Sequence, residues 1–370
     1  MYKIPLIKPY ITQEVKDKVI DVLDSGYLTE GPVTHELETL FQEYIGCTHA
    51  IAVTSCTTGL ELALRALGIG PGDEVIVPDY TYPATASVVN IVGATVVIVD
   101  VDQQTMLIDY DAIQEAITEK TKAIIPVSLF GNPLDYGKLN KIKNQHNIKI
   151  IEDAACSLGA TYQDKKVGSL ADISVFSFHP RKFITTGEGG MVTTDNDEWA
   201  AWMNSYKHFG MSKSDERQAI QFERVGTNYK LSNLQAAIGV VQMQHVEELL
   251  LKRYQLAENY VGLLKNVSNI VLPQTTEGGV HSYQSFCIFI ENRDEIMRQL
   301  RDIGIEVQIG TFALHKHKAF NDNPFVRVVG SMKNSQYVFE NCLTLPLFHD
   351  ITPNEQEIVI KTLESKDLGI

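Results

Sequence analysis

The sequence predicts an α/β fold: a mostly parallel sheet, read as seven-stranded, between layers of helices, followed by a smaller C-terminal α+β unit. From Ile51 onward, short runs that are apolar on both faces (IAVTS, EVIVP, TVVIVDV, KAIIPVS, IKIIED, ISVFSF and GMVTT) alternate with stretches of helical spacing. Strands have this pattern when helices cover both faces of a parallel sheet, because neither face meets water. Past Trp199 the rhythm gives way to longer helical material. Past Ser268 come SYQSFCIFIE, a helix near Glu295 to Ile303, and IEVQIG, as in an antiparallel sheet backed by helices.

In chain order, the first clear element is Thr34 to Ile45, with Leu37, Leu40, Phe41, Tyr44 and Ile45 at helical intervals and Glu36, Glu38 and Glu43 opposite. A helix through Leu60 to Leu67 follows the first strand, another segment ends near Val92, and a further helix spans Leu134 to His146. Leu231 to Glu248, continuing through Glu258, predicts long helix. A boundary near residue 245 divides the chain into a large domain, 1–245, and a small one, 246–370, on which the N-terminal segment is free to pack. No Pro/Gly/Ser-rich linker separates them, so the two are expected to pack tightly across a cleft.

Forty-six acidic against 32 basic side chains leave a net charge of −14. The densest basic stretch, Lys138 to Lys149, alternates its lysines with Leu139, Ile142 and Ile148, the pattern of a solvated helix face. An electrostatic surface for nucleic acid or an anionic membrane is therefore not expected. Cys47, Cys56, Cys156, Cys287 and Cys342 are widely spaced, with no CxxC pair, which argues against a disulfide framework and against a zinc or other metal cluster. A reducing cytoplasm is the expected location, since MYKIPLIKPY lacks the features of a signal peptide. The longest apolar stretch, Ala84 to Val101, is interrupted by polar residues and cannot span a bilayer.

Open α/β sheets hold ligands outside the carboxyl ends of their strands. After IAVTS stands Ser55-Cys56-Thr57-Thr58-Gly59, where Thr58 and Glu61 have the spacing of a capping box. The remaining N–H groups of that helix start, with the hydroxyls of Ser55 and Thr57, suit a phosphate. No GxxxxGK[ST] or GxGxxG is present, so a nucleoside triphosphate or a dinucleotide is not the natural ligand. After EVIVP, Asp79-Tyr80-Thr81-Tyr82 places rings where a flat cofactor could stack. Asp153 closes IKIIED as a helix cap or as the partner of a cationic ring nitrogen. After ISVFSF come His179-Pro180-Arg181-Lys182 and the turn Thr185 to Gly190, whose glycines let backbone approach a ligand closely. A lysine for a Schiff base, a carboxylate, a stacking ring and a phosphate cup are the requirements of a pyridoxal phosphate enzyme.

Six blocks, in order, resemble the DegT/DnrJ/EryC1/StrS family of sugar aminotransferases. They are SGYLTEGPVTHELE at 25–38, LALRALGIGPGDEVIVPDYTYPATA at 62–86, EDAACSLGA at 152–160, FSFHPRKFITTGEGGMVTT at 176–194, GTNYKLSNLQAAIG at 226–239 and GTFALHKHKAF at 310–320. The resemblance implies a fold type I transferase dependent on pyridoxal 5'-phosphate. It implies that Lys182 bonds covalently to the cofactor, that Asp153 pairs with its ring nitrogen and that Tyr82 stacks on the ring. Cys56, Thr57 and Ser177 would hold the phosphate, joined by Asn228 of the neighbouring subunit in a homodimer with shared active sites. Two positions depart from the family's usual residues. Cys56 stands where many relatives have Gly or Ala, which suggests a backbone role. Cys156 stands where many have Gln or His, so the contact to the cofactor's phenolic oxygen would pass to its sulfur or to Ser157.

The implied reaction takes an amino group from L-glutamate and delivers it to a nucleotide-linked keto-sugar, 4-keto-6-deoxy in preference to 3-keto, for surface polysaccharide or a related glycan. Burial is expected to lower the pKa of Lys182 and free its nucleophilic form. Amino-acid transaminases of this fold fix the substrate carboxylate with a late arginine, whose fork suits it. Arg327 is the only arginine after Arg301, and its FVRVVG setting resembles no such clamp. His179, Arg181, His208 and His315 are the candidate contacts to the sugar or its diphosphate. A sugar dehydratase, an amino-acid-directed transaminase and a non-catalytic regulator are the alternatives. Lys182 counts against the dehydratase class that replaces it with histidine, and the intact Lys182 and Asp153 count against a regulator. The polar turn Gly226 to Tyr229 precedes an apolar helix in which Ala236, Ala237 and Gly239 allow close approach, so that helix is expected at a subunit interface.

Overall fold

The computed structural model describes residues 2–212 and 217–364. Its large sheet has eight strands, in the order His49–Val53, Gly190–Thr194, Ile173–Ser177, Lys149–Asp153, Thr121–Ile124, Glu74–Pro78, Thr95–Val99 and Val326–Val329. Gly190–Thr194 runs against both neighbours, and the remaining pairings are parallel. The seven strands expected from the apolar runs are all present. The eighth, Val326–Val329, returns from the C-terminal part of the chain to an edge, where it is only partly buried and carries no repeating strand–helix context.

Both faces are covered, as continuous apolar strands require. In Glu74–Pro78, Ile76 joins one layer with Phe41, Phe176 and Phe178, while Val75 and Val77 join the other with Leu60, Leu64 and Val89. Helix Pro32–Ile45 starts earlier than its apolar pattern because Pro32 supplies the fixed φ of a first helical position. It stops at Gly46, whose φ of +77° is left-handed. Helix Gln13–Ser25 had no clear sequence signal, since its only buried residues are Val15 and Val22, too narrow a stripe.

The helical stretch expected from Leu231 through Glu258 is two helices, Asn233–Gln244 and Val246–Leu264, broken at His245. The first packs on Gln13–Ser25 and Pro32–Ile45 of its own chain. A Cβ at Gly239 would lie 2.9 Å from Thr186 and 3.0 Å from Leu37. The close approach permitted by its small residues is made within the chain, against Thr186 and Leu37.

The C-terminal part holds an antiparallel sheet in the order Ile270–Val271, Phe286–Ile290, Cys342–Leu345 and Gln308–Ile309. Its apolar face, including Ile288, Leu343 and Leu345, packs with Leu256 and Tyr260 of Val246–Leu264 and with Val359 and Ile360 of helix Pro353–Leu363. The N-terminal segment lies here too: Ile4 bridges Ile305, and Leu347 N–H donates to Leu6 O at 2.9 Å. Across the cleft, Ser282 N–H donates to Gly131 O at 2.9 Å. Gly131 has φ +103°, and a Cβ there would fall 2.8 Å from the nitrogen of Tyr283, so only glycine permits this contact. No helix among the described residues is long and apolar enough to cross a membrane.

His349 is buried between the rings of Tyr10 and Phe183. Burial, helped by the charge of Arg253, holds its pKa at about 3, against an ordinary 6.5. A depressed folded-state pKa contributes stability that is full above the unfolded value and is lost as pH falls toward the folded one. The melting temperature is accordingly expected to fall between pH 6.5 and 3 more steeply in the parent than in His349→Phe, which has nothing to titrate there. Parallel curves for the two proteins would show that His349 does not drive the acid transition.

Candidate active site

A cavity of about 680 Å³ opens at the carboxyl ends of the large sheet's strands. The C-terminal unit closes it, through Gln284, Ser285, Gln308 to Thr311, Thr344 and Leu345, and Leu6 and Ile7 complete the wall.

Strand Lys149–Asp153 delivers two carboxylates to opposite faces, as its period of two dictates. Glu152 points into the core and accepts from the hydroxyls of Ser128, Tyr136 and Ser174. Asp153 points into the cavity, where Oδ2 accepts from Thr85 Oγ1 at 2.8 Å and Oδ1 from Ala155 N–H at 3.2 Å. Burial raises the Asp153 pKa, opposed by these hydrogen bonds and by the charge of Lys182. A buried carboxyl whose ionised form is costly suits a cationic partner.

Strand Ile173–Ser177 leads into the loop that carries Lys182, whose Nζ donates to Cys156 Sγ at 3.0 Å. Burial pulls the lysine's pKa down, but Cys156, Asp153 and Cys56 face the ammonium and the net shift is upward. This corrects the expectation of a lowered value: desolvation is outweighed by the negative and polarisable groups around it.

Helix Cys56–Ala66 follows the first strand. Its capping box lies one turn earlier than expected, formed by Ser55 and Thr58 through bonds of 3.1 Å each way. Glu61 is held by Arg65 and by the hydroxyl of Tyr229 instead. The Ser55 hydroxyl is thus engaged in the cap. The N–H groups of Cys56 and Thr57 precede the first intrahelical bond, from Gly59 N to Ser55 O, and lie at the cavity with the Thr57 hydroxyl. Strand Gly190–Thr194 passes directly behind, and a Cβ at Gly190 would lie 2.8 Å from the nitrogen of Cys56. The Cys56 thiol sits 3.8 Å from Asp153 Oδ1, and burial together with that charge pushes its pKa well up. A neutral thiol agrees with a backbone role for the position.

Tyr82 is 65% exposed at the cavity, with its ring 6.3 Å from that of Phe312, whereas Tyr80 is buried and accepts from Thr311 N–H. Ser177 and Cys156 line the cavity, but Ser157 is buried away from it and donates to Ala154 O. Of the two candidates for the phenolic oxygen, the sulfur is the one that reaches the cavity. His179 and Arg181 line the mouth, with Arg181 Nη1 donating to Gln308 Oε1 at 3.0 Å. Burial, with the charges of Lys182 and Arg181, lowers the pKa of His179.

Three candidates lie elsewhere. His208 Nε2 is paired with Glu30 at 2.8 Å, and His315 Nδ1 with the buried Asp79 at 2.6 Å. The local pairing of segments brings Asn228 beside His208, and Asn228 Oδ1 accepts from Lys230 Nζ at 2.6 Å, outside the cavity of its own chain. Thr85, Gln284 and Gln308 are site residues that sequence reasoning missed, because threonine and glutamine carry no chemical signature apart from their surroundings.

Orphan N–H donors at a helix start, a buried carboxyl and a cavity-facing lysine beneath an exposed ring fit pyridoxal 5'-phosphate and its charges. Fold and site together define a fold type I transferase dependent on that cofactor. The chain belongs to the DegT/DnrJ/EryC1/StrS aminotransferase family, whose model matches residues 9–364. It is 40% identical over 311 residues to the GDP-perosamine synthase of Caulobacter vibrioides, spanning 82% of this chain and 83% of that protein. The X-ray structure of the aminotransferase from Psychrobacter cryohalolentis superposes with a TM-score of 0.92 at 30% identity, covering 98% of each chain. The E. coli GDP-4-keto-6-deoxy-D-mannose-3-dehydratase with bound hydrated PLP also superposes at 0.92, with 27% identity over 98% of this chain and 100% of that one. The protein is a PLP-dependent sugar aminotransferase.

Proposed function

We propose that the chain moves the amino group of L-glutamate to a nucleotide-linked keto-sugar, a 4-keto-6-deoxy hexose in preference to a 3-keto one, to make an amino-sugar for surface polysaccharide or a related glycan. The observation that carries this is one cavity holding Lys182, Asp153 and the free helix start at Cys56 and Thr57, with room beyond them for a sugar. Arg327 supports a sugar over an amino-acid acceptor. Its Nη2 is bound to Glu74 at 2.8 Å and to Ala116 O, away from the cavity.

Bound pyridoxal phosphate supplies the electron sink for the carbanion formed when the donor's α-proton leaves. The chain's residues do the rest. Asp153 would meet a ring N–H as a carboxylate, and the N–H groups of Cys56 and Thr57, with Ser177, would hold the phosphate at the positive end of a helix. Lys182 removes and returns the proton as general base and acid. Tyr82 would stack on the ring, and His179 and Arg181 would meet the sugar's diphosphate, for which a guanidinium is well matched.

The active unit is a homodimer in the cytoplasm, with Asn228 of one subunit reaching the phosphate held by the other. Exposed Phe209, Phe222 and Val225 around the Asn228 turn, and exposed Tyr27 and Leu28, form the apolar surface such an interface would cover. Five free cysteines suit a reducing compartment. Glutamate with dTDP-, UDP- or GDP-linked keto-sugars is expected to give an amino-sugar in one series, read by mass spectrometry. Turnover of a keto acid alone would make the enzyme amino-acid-directed, and loss of a sugar hydroxyl without gain of an amine would make it a dehydratase.

A further inference from the structure

The segment before strand Phe286–Ile290 enters the cavity through a strained turn. Tyr283 has φ +52°, a left-handed conformation that a bulky residue adopts at a cost and keeps only where its surroundings impose it. Here they do. His281 Nδ1 accepts from Tyr283 N–H at 2.8 Å, and the two rings stack at 4.4 Å. Arg253 Nη1 donates to the carbonyls of both Tyr283 and Gln284 at 2.9 Å. Arg253 is buried and forms no ion pair among the described residues, and burial alone lowers its pKa to about 10. A buried guanidinium committed to two carbonyls holds this turn in place.

The turn delivers Gln284, whose side chain is buried with 5% exposure. Its Nε2 donates to the carbonyl of Arg181 at 2.6 Å, one residue before Lys182, which fixes the other end of the amide as oxygen. That Oε1 is buried and has no hydrogen-bond donor among the described residues. Gln284 lines both the main cavity and the narrow crevice it shares with Lys182, Cys156 and Phe183. A buried carbonyl oxygen left unpaired is costly, and in a residue that lines a ligand cavity it is paired when a bound ligand brings a donor. An amide oxygen only accepts, so it cannot bind a phosphate or a carboxylate.

We infer that Gln284 selects the acceptor sugar, its Oε1 accepting a hydrogen bond from a ring hydroxyl next to the reacting carbon. This rests on the keto-sugar reading above. Arg253 is a positioning residue that acts through the Tyr283 turn.

The test uses the holoenzyme, Gln284→Leu, and the accepted keto-sugar with its single-deoxy analogues, each lacking one ring hydroxyl. Glutamate alone, read from the cofactor's visible spectrum, reports the first half-reaction, and its rate should fall by much less than the keto-sugar step even though the variant also frees the Arg181 carbonyl beside Lys182. The variant's KM for the keto-sugar should rise roughly tenfold or more, the loss expected for an unpaired buried hydrogen-bonding group. The parent should reject one deoxy analogue by a similar factor, and the variant should treat that analogue and the complete sugar alike. A merely structural glutamine would not tie the loss to one hydroxyl. The inference is overturned if the variant keeps the parental KM, if the parent accepts every analogue as well as the complete sugar, or if the glutamate step falls as far as the sugar step. Should Gln284→Leu fail to fold, the same comparison is made in Gln284→Met, and the parent's response to the analogues decides independently. A parent that reacts with glutamate but with no keto-sugar would sink the functional reading itself, a separate result.

Discussion

Lys182→Ala is expected to lose amino transfer by at least about 10²–10⁴-fold, the range that a positioned acid–base group contributes, and to lose covalent attachment of the cofactor altogether. No second lysine lines the cavity among the described residues, and none can take over the bond. His179 is the nearest other base along the chain, and burial lowers its pKa, but its Nδ1 is occupied by the N–H of Arg181 at 3.2 Å. The parent should carry a visible band that borohydride fixes to the peptide containing Lys182, and the variant should not. Parental turnover of glutamate by Lys182→Ala would remove the lysine from its role. The same variant tests the shared site. Mixed with inactive Asn228→Asp protomers it should regain part of the activity, because one site of each heterodimer would combine the unsubstituted Lys182 of one chain with the unsubstituted Asn228 of the other. Verified heterodimers without activity would place both residues in a single subunit's site.

The large sheet was legible because burial on both faces leaves an unmistakable trace. All seven runs from IAVTS to GMVTT are strands, and the cavity lies at the carboxyl ends of the parallel ones. Lys182, Asp153 and Tyr82, which residue type and position single out, line one cavity at those ends. What stayed hidden depends on contacts distant in sequence. Val326–Val329 is an edge strand recruited by Thr95–Val99 from more than two hundred residues away, and nothing in its own pattern announces this. Thr85 becomes a site residue only because its hydroxyl reaches Asp153, and Gln284 only because a strained turn aims it at the cavity. His208 and His315 show the converse. Histidine suits contact with a sugar or its diphosphate, yet Glu30 and Asp79 hold these two outside the cavity of their own chain. The sequence leaves the capping box ambiguous by one turn, because Ser55-x-x-Thr58 and Thr58-x-x-Glu61 both satisfy the spacing. The structure selects Ser55, whose extended backbone at φ −167° is that of a cap.

Asp153→Asn is expected to separate function from stability. Asparagine has nearly the same volume and keeps one acceptor oxygen for Thr85 or Ala155, so the folded chain should form. It cannot ionise, so it cannot hold a cationic ring nitrogen, and removal of a preorganised charge at a reaction centre costs about 10²–10³-fold in turnover. Stability should move the other way. Burial raises the Asp153 pKa above 3.8 in the folded chain. A raised folded-state value contributes stability below the unfolded pKa, and that contribution is lost as pH rises through the folded one. At neutral pH the buried carboxylate is therefore a liability, which Lys182 offsets only in part, until a second cation meets it. Without cofactor, Asp153→Asn should melt at or above the parent's temperature at pH 7, and the gain in melting temperature on adding pyridoxal phosphate should be smaller in the variant. Losing Asp153 also removes one of the groups that hold Lys182 protonated, so the lysine should titrate lower in the variant. Full activity in Asp153→Asn, with an unchanged response to cofactor, would mean that Asp153 only caps the turn at Ala155, where its Oδ1 accepts a hydrogen bond.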